Sequence, residues 1–130
     1  QKPKKLHIFN RTYDKAKVMQ KKWEILAKNN NVNINALEFL GLDNTNYDLV
    51  INATSSGLVE GAMPMTSEYF IPETMYYDMT YGFEPPFMKA SKAKGAKTFD
   101  GMGMLIEQAA ESFFIWHKLK PNTTNTFKIL

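Results

Sequence analysis

The sequence predicts an α/β fold, a parallel sheet with helices on both faces. Three observations predict it. Short runs of apolar, β-branched and aromatic residues alternate with helical stretches along the chain, which is the pattern of strands joined by crossover helices. The clearest run, Leu49-Val50-Ile51, has no polar face, as expected of a strand buried on both sides. The runs also stop abruptly at small or polar turns, and Tyr47–Gly57 shows this best, with Asn52-Ala53-Thr54-Ser55-Ser56-Gly57 following the strand.

In chain order, Leu6–Phe9 reads as a strand that ends at Asn10-Arg11-Thr12, with Asn10 or Thr12 suited to cap the following helix. That helix, Asp14 to Asn29, sets Val18, Trp23, Ile25, Leu26 and Ala27 among lysines and contains no proline or glycine. Asn29-Asn30-Asn31 ends it. Val32–Leu37 alternates apolar and polar residues, the mark of a strand. Phe39–Asn46 is a connector with room for a helical turn, and the segment from Gly57 to Pro64 is a loop. Ser67–Phe70 suggests a short helix before Pro72.

Met75–Met79 is the next strand. Pro86 opens a helix over Phe87–Lys94, since proline suits a first helical position, and Gly95 stops it. Lys97–Phe99 is the last short strand. Asp100-Gly101-Met102-Gly103 turns into the longest helix, Met104–Leu119, which places Leu105, Ile106, Ala109, Phe113 and Trp116 on one face and Glu107 and Glu111 on the other. Phe127–Leu130 starts a further element. No internal repeat interrupts this order, and 1–130 reads as a single domain.

Composition narrows the function. The chain has 130 residues, 44% of them hydrophobic and 22% charged, which suits one globular domain with a core. No apolar run approaches the roughly 18 residues of a membrane span, and no secretory signal opens the sequence. Cysteine is absent, which excludes disulfides and thiolate metal sites, and the two histidines have no ligand-like spacing. The net charge of +3 gathers at Lys2, Lys4 and Lys5 and around Lys89–Lys97. Without interleaved aromatic residues it describes solvated faces, not a nucleic-acid surface. We therefore expect a cytoplasmic protein with neither a nucleic-acid nor a membrane partner.

In an open parallel sheet, ligands bind beyond the carboxyl ends of the strands. The motifs Asn10-Arg11-Thr12, Asn52-Ala53-Thr54-Ser55, Met79-Thr80-Tyr81 and Asp100-Gly101 all follow strand runs, and a parallel sheet puts them on one rim. Two readings stand for Arg11. In a dinucleotide fold the end of the second strand faces the adenosine ribose, and Arg there, with Lys15 one turn on and no carboxylate in the Asn-Arg-Thr motif, suits a 2′-phosphate and hence NADP. The other reading is a solvated Arg at a helix start, a place the helix dipole disfavours for a cation. Asn52, Thr54 and Ser55 also serve as plain turn formers, Tyr81 as an ordinary aromatic, and Gln108 as a solvated amide at a helix border. The eight methionines read as core filler, and Gly101-x-Gly103 is explained by its tight turn.

Asn10-Arg11-Thr12, Asn52–Gly57, Tyr77-Asp78-Met79-Thr80-Tyr81 and Asp100-Gly101-Met102-Gly103-Met104-Leu105-x-x-Gln108-Ala109-Ala110 occur in this order. Together they resemble the C-terminal, NADP-binding half of the shikimate dehydrogenases. The Asn-Arg-Thr motif alone is shared with other NADP enzymes such as glutamyl-tRNA reductase, and the last two motifs are the specific ones. The resemblance implies a Rossmann-like domain. It implies that Asn10, Arg11, Thr12 and Lys15 hold the 2′-phosphate of NADP, that Thr54 and Ser55 lie along the cofactor path, and that Met79 and Gly101 border the nicotinamide. Tyr81 and Gln108 would reach the substrate. The activity implied is NADP-dependent reduction of 3-dehydroshikimate to shikimate, in aromatic amino-acid biosynthesis. Quinate/shikimate dehydrogenases and other NADP reductases are the alternative enzymes, and a non-catalytic α/β module is the alternative outside enzymes.

The family's first strand with its Gly-rich turn, and its substrate domain with the catalytic Lys and Asp, have no counterpart in these residues. The resemblance thus implies a cofactor-binding part, with no catalytic residue of its own, inactive alone and weak in holding NADP. In the strand order 3-2-1-4-5-6 the absent strand is central. Exposed edges at Leu6 and Leu49 are then expected either to pair with each other or to recruit a second copy into a homo-oligomer.

Overall fold

The computed structural model describes residues 3–38, 46–58 and 63–126, which form two compact units, 1–45 and 46–130. In the first unit, β1 (Lys5–Phe9) leads into α1 (Tyr13–Asn29) and then β2 (Asn33–Leu37). β1 and β2 are parallel, with Leu6 opposite Ile34 and Ile8 opposite Ala36. The helix between them is the crossover that parallel strands require. The core of this unit is small-residue packing: Ala16 and Ala27 of α1 lie buried with Ile34 and Ala36 of β2. Gln20 on α1 accepts the Ala36 amide through Oε1 at 2.9 Å and so ties helix to strand. The expected Asn stop is present. Asn30 Nδ2 donates to the Leu26 carbonyl at 2.9 Å, and Asn31 takes the left-handed conformation, with φ 56°.

The second unit holds β3 (Leu49–Asn52), β4 (Met75–Asp78) and β5 (Lys97–Phe99) in a parallel ladder of that order. A short 3-10 turn at Ser55–Leu58 follows β3, and another, Ser67–Tyr69, precedes β4. α2 (Pro86–Ala93) joins β4 to β5, and α3 (Met102–His117) follows β5. Pro86 sits in the first turn of α2, and Gly95 ends the turn after it at φ 81°, donating its amide to the Lys92 carbonyl at 2.8 Å. The core joins Phe70, Tyr76, Phe87, Met88 and Ala96. The three aromatic rings meet at 5.0–5.8 Å between centroids, tilted or edge-on as aromatic quadrupoles prefer. The buried Tyr76 hydroxyl accepts the Ile71 amide at 2.9 Å, and Thr74 Oγ1 donates to the Tyr47 carbonyl at 2.6 Å.

Several expectations need correction. The strands form two parallel ladders, β1-β2 in the first unit and β3-β4-β5 in the second. α3 runs from Met102 to His117, with Lys118 in the left-handed conformation closing it. Its apolar face is not a core face: only Ala110 is buried, Leu105 and Ile106 are half-buried, and Trp116 is 75% exposed. α1 likewise exposes Val18, Ile25 and Leu26. Helical spacing sorts side chains by face, but burial needs an opposing surface. Thr12 occupies the N-cap position of α1 without a side-chain capping bond. The readings at 39–45, 59–62 and 127–130 lie outside the described residues.

Among the described residues no helix is long and apolar enough to cross a membrane, and no group of His, Asp or Glu is placed to hold a metal.

Candidate functional site

All four motifs singled out by sequence sit at the carboxyl ends of parallel strands, and one local device shapes them. An Asn or Asp accepts, through its side-chain oxygen, the backbone N–H two residues on. Asn10 takes the Thr12 amide at 2.9 Å after β1. Asn52 takes the Thr54 amide at 3.1 Å after β3, and Asp78 takes the Thr80 amide at 2.9 Å after β4. Asp100 takes the Met102 amide at 3.1 Å after β5. Such turns let a strand reverse quickly and leave the next residues at the rim.

In the first unit, Asn10, Arg11, Thr12 and Lys15 gather between β1 and the first turn of α1, where the Lys15 amide donates to the Thr12 carbonyl at 3.0 Å. Arg11 and Lys15 are exposed and form no ion pair among the described residues. The acid nearest in sequence, Asp14, pairs with Lys17 at 2.7 Å, and that bond holds the Lys17 ammonium above its ordinary range. The donor set is therefore two cations and an uncapped helix start, which suits an anion such as a phosphate monoester.

In the second unit, Thr54 and Ser55 follow β3, Met79 and Tyr81 follow β4, and Gly101 follows β5. The structure binds three of these turns together. The Met79 amide donates to the Asn52 carbonyl at 3.1 Å, and the buried Gly101 donates to the Thr80 carbonyl at 2.7 Å. A Cβ at position 101 would collide with the Met79 carbonyl oxygen and stand 2.7 Å from its carbon. Glycine is required there by close approach, since its φ is not in the left-handed region. Tyr81 is 47% exposed, and Gln108 is exposed on α3, where its carbonyl accepts the Ser112 hydroxyl at 2.9 Å. No hydrogen bond joins Tyr81 to Gln108 among the described residues. A shallow cleft of about 710 Å³ in this unit is lined in part by Tyr77 and Phe83 and by Gly82, Asp100 and Met102, the chain neighbours of Tyr81 and Gly101, although none of the expected site residues lines it.

Asp78 was not among the expected site residues, and Asn52 was read by sequence only as part of a rim motif and a turn former. Asn52 is 3% exposed and Asp78 0% exposed, and Asn52 Nδ2 donates to Asp78 Oδ2 at 2.8 Å. Their signal was legible as a repeated phrase, Asn52-Ala53-Thr54 and Asp78-Met79-Thr80, at two consecutive strand ends.

The model of the shikimate 5′-dehydrogenase C-terminal domain matches residues 101–125, the Gly101 turn and α3. The shikimate dehydrogenase (NADP(+)) of Methylobacillus flagellatus is 43% identical over 122 residues, 93% of this chain and 44% of that protein. The chain belongs with the shikimate dehydrogenases. The corresponding protein of Janthinobacterium sp. (strain Marseille) is 40% identical over 131 residues, 100% of this chain and 46% of its own length. Among solved structures, the shikimate 5-dehydrogenase of Thermus thermophilus, in complex with NADP(H) and shikimate, superposes with TM-score 0.71 at 28% identity, over 89% of this chain and 41% of that one. The Listeria monocytogenes enzyme, in complex with shikimate and NAD, superposes with TM-score 0.81 over 97% of this chain and 47% of that one. At 22% identity that likeness speaks for the fold, which is Rossmann-like. The chain spans less than half the length of the relatives it matches.

Proposed function

We propose that this chain is the NADP-binding part, one Rossmann-like domain over 1–130, of a cytoplasmic shikimate dehydrogenase that reduces 3-dehydroshikimate to shikimate in aromatic amino-acid biosynthesis. The observation that carries the reading is the exposed pair Arg11 and Lys15 beside the uncapped start of α1, directly after β1. A planar guanidinium meets two phosphate oxygens at once, and the helix start adds backbone N–H groups. Asn10 shapes the turn by holding the Thr12 amide. Arg11, Thr12 and Lys15 then bind the 2′-phosphate that distinguishes NADP from NAD.

When bound, NADPH supplies the hydride that reduces the substrate carbonyl. This chain's residues bind and orient. Thr54 and Ser55 line the cofactor path. Met79 and Gly101 flank the nicotinamide. Tyr81 and Gln108 contact the shikimate hydroxyls or carboxylate. No residue here serves as the proton donor, so turnover needs the rest of the full-length protein.

The test is Arg11→Ala in the full-length protein, with NADPH and NADH affinities measured side by side by fluorescence titration. We expect NADPH to bind about tenfold to a hundredfold more weakly, the worth of one or two charge-assisted hydrogen bonds, with NADH unchanged. Equal NADPH affinity in the variant refutes the 2′-phosphate assignment.

A further inference from the structure

The strand ends of the second unit contain a buried polar pair whose chemistry is fully specified. Asn52 and Asp78 are the last residues of β3 and β4 and stand directly opposite in the ladder. Asn52 Oδ1 accepts both the amide and the hydroxyl of Thr54, at 3.1 and 2.8 Å. Its Nδ2 must therefore face Asp78, and donates to Oδ2 at 2.8 Å. Asp78 Oδ1 accepts both the amide and the hydroxyl of Thr80, at 2.9 and 2.7 Å. Each of these hydrogen bonds runs in the only sense its chemistry permits. No buried side-chain polar atom lacks a partner among the described residues, and no cation pairs with Asp78 among them.

The pair reaches further through what it holds. Thr54 Oγ1 and Ser56 Oγ lie 2.6 Å apart, and Thr54 Oγ1 accepts the Ser56 amide at 3.2 Å. On the other side, the Thr80 carbonyl accepts the Gly101 amide at 2.7 Å. One side-chain bond thus connects the turn after β3 to the turn after β4, and through Thr80 to the turn after β5.

We propose that Asn52 and Asp78 are positioning residues: their buried bond fixes the turn carrying Thr54 and Ser55 against the turns carrying Met79, Tyr81 and Gly101, and the geometry of the cofactor rim depends on it. The functional half of this inference rests on the reading of that rim as the NADP seat. The structural half does not.

The pair permits a sharp experiment because its two members can exchange places. Asp78→Asn alone sets two amides against each other: with both Oδ1 atoms held by threonines, the Nδ2 groups face one another. Asn52→Asp alone sets two carboxyl groups face to face, which disfavours ionisation of both. The exchanged double variant, Asn52→Asp with Asp78→Asn, restores every bond with the donor reversed and keeps the net charge. Neighbours in one network couple in this way, and distant sites do not.

The full-length protein carrying each variant is compared by amide hydrogen exchange and by NADPH titration. Each single variant is expected to lose about tenfold or more of the protection at the Thr54, Thr80 and Gly101 amides, within the range an unsatisfied buried polar group costs. The core strand amide of Tyr76 serves as the reference. The exchanged variant is expected to recover protection, and NADPH affinity, to within about threefold. If the single variants do not fold, the exchanged one decides, and its failure to fold overturns the proposal. Protection unchanged in the folded singles, or an exchanged variant no better than the sum of the two, overturns it as well. A folded single variant that binds NADPH as the parent does leaves the pair a merely structural one and also overturns it. A parent protein that binds no NADPH refutes the proposed function instead, and the exchange data alone then decide whether the pair fixes the turns.

Discussion

Replacing Gly101 with Ala tests the rim at its tightest point. The added Cβ would stand 2.7 Å from the Met79 carbonyl carbon, inside contact with its oxygen, and 3.1 Å from the Thr80 carbonyl oxygen. These neighbours are backbone, so no side chain can swing aside and the turn after β5 must move from the turn after β4. That movement breaks the 2.7 Å bond from the Gly101 amide to Thr80, worth about 1 kcal/mol net. Overpacking adds about 1–3 kcal/mol, while the stiffer unfolded chain returns about 0.4–1 kcal/mol. The sum is a loss of about 1–4 kcal/mol, a large share of the roughly 5–15 kcal/mol that holds a domain together. Gly95→Ala is the control. Its φ of 81° penalises a Cβ, by about 1–2 kcal/mol, but nothing lies within 4 Å of one. Urea unfolding followed by far-UV circular dichroism gives both numbers. Gly101→Ala is expected to shift the midpoint further than Gly95→Ala, with an unchanged slope, and to weaken NADPH binding where Gly95→Ala does not. If Gly101→Ala is no more destabilising than Gly95→Ala, the close approach assigned to the rim is wrong.

Two further substitutions probe the second unit. Tyr76→Phe keeps the ring cluster with Phe70 and Phe87 but strips the Ile71 amide of its acceptor, so urea unfolding should show a loss of about 1–2 kcal/mol, against about 3–5 kcal/mol for Tyr76→Ala. The bond from Lys92 holds the Glu84 carboxyl below its ordinary 4.5. A lowered folded value means that the contribution is present above 4.5 and fades as pH falls through the folded value. Glu84→Gln should therefore lower the urea midpoint slightly at pH 7 and not at all at strongly acid pH, and added salt should erase the difference because both partners are exposed. A difference that persists in acid refutes the assignment.

The reach of sequence reasoning is visible element by element. The strands were legible because runs such as Leu49–Ile51 favour an extended backbone, but the burial on both faces expected of that run is absent, since Leu49 is 47% and Ile51 56% exposed. The ends of α1 and α2 were legible because Asn31 and Gly95 adopt backbone conformations few residues tolerate. The rim was legible because an Asn or Asp at a strand end makes its own turn with the amide two residues on. The outer face of α3 was not. Periodicity aligned Leu105, Ala109, Phe113 and Trp116, yet Trp116 is among the most exposed apolar residues described, since spacing states which residues share a face and not what covers it. Nor was the role of Asp78. Its bond to Thr80 is local and readable, but its bond to Asn52 spans 26 residues of sequence and exists only because parallel pairing sets the two strand ends side by side.

The sequence by itself therefore determined the strands, the helix stops and the rim turns, all of which depend on residues near one another in the chain. The tertiary structure decided which strands pair, why position 101 admits no side chain, and that Asn52 and Asp78 join separate turns into one rim. Those are contacts between distant segments, fixed by packing and register, which no local preference encodes.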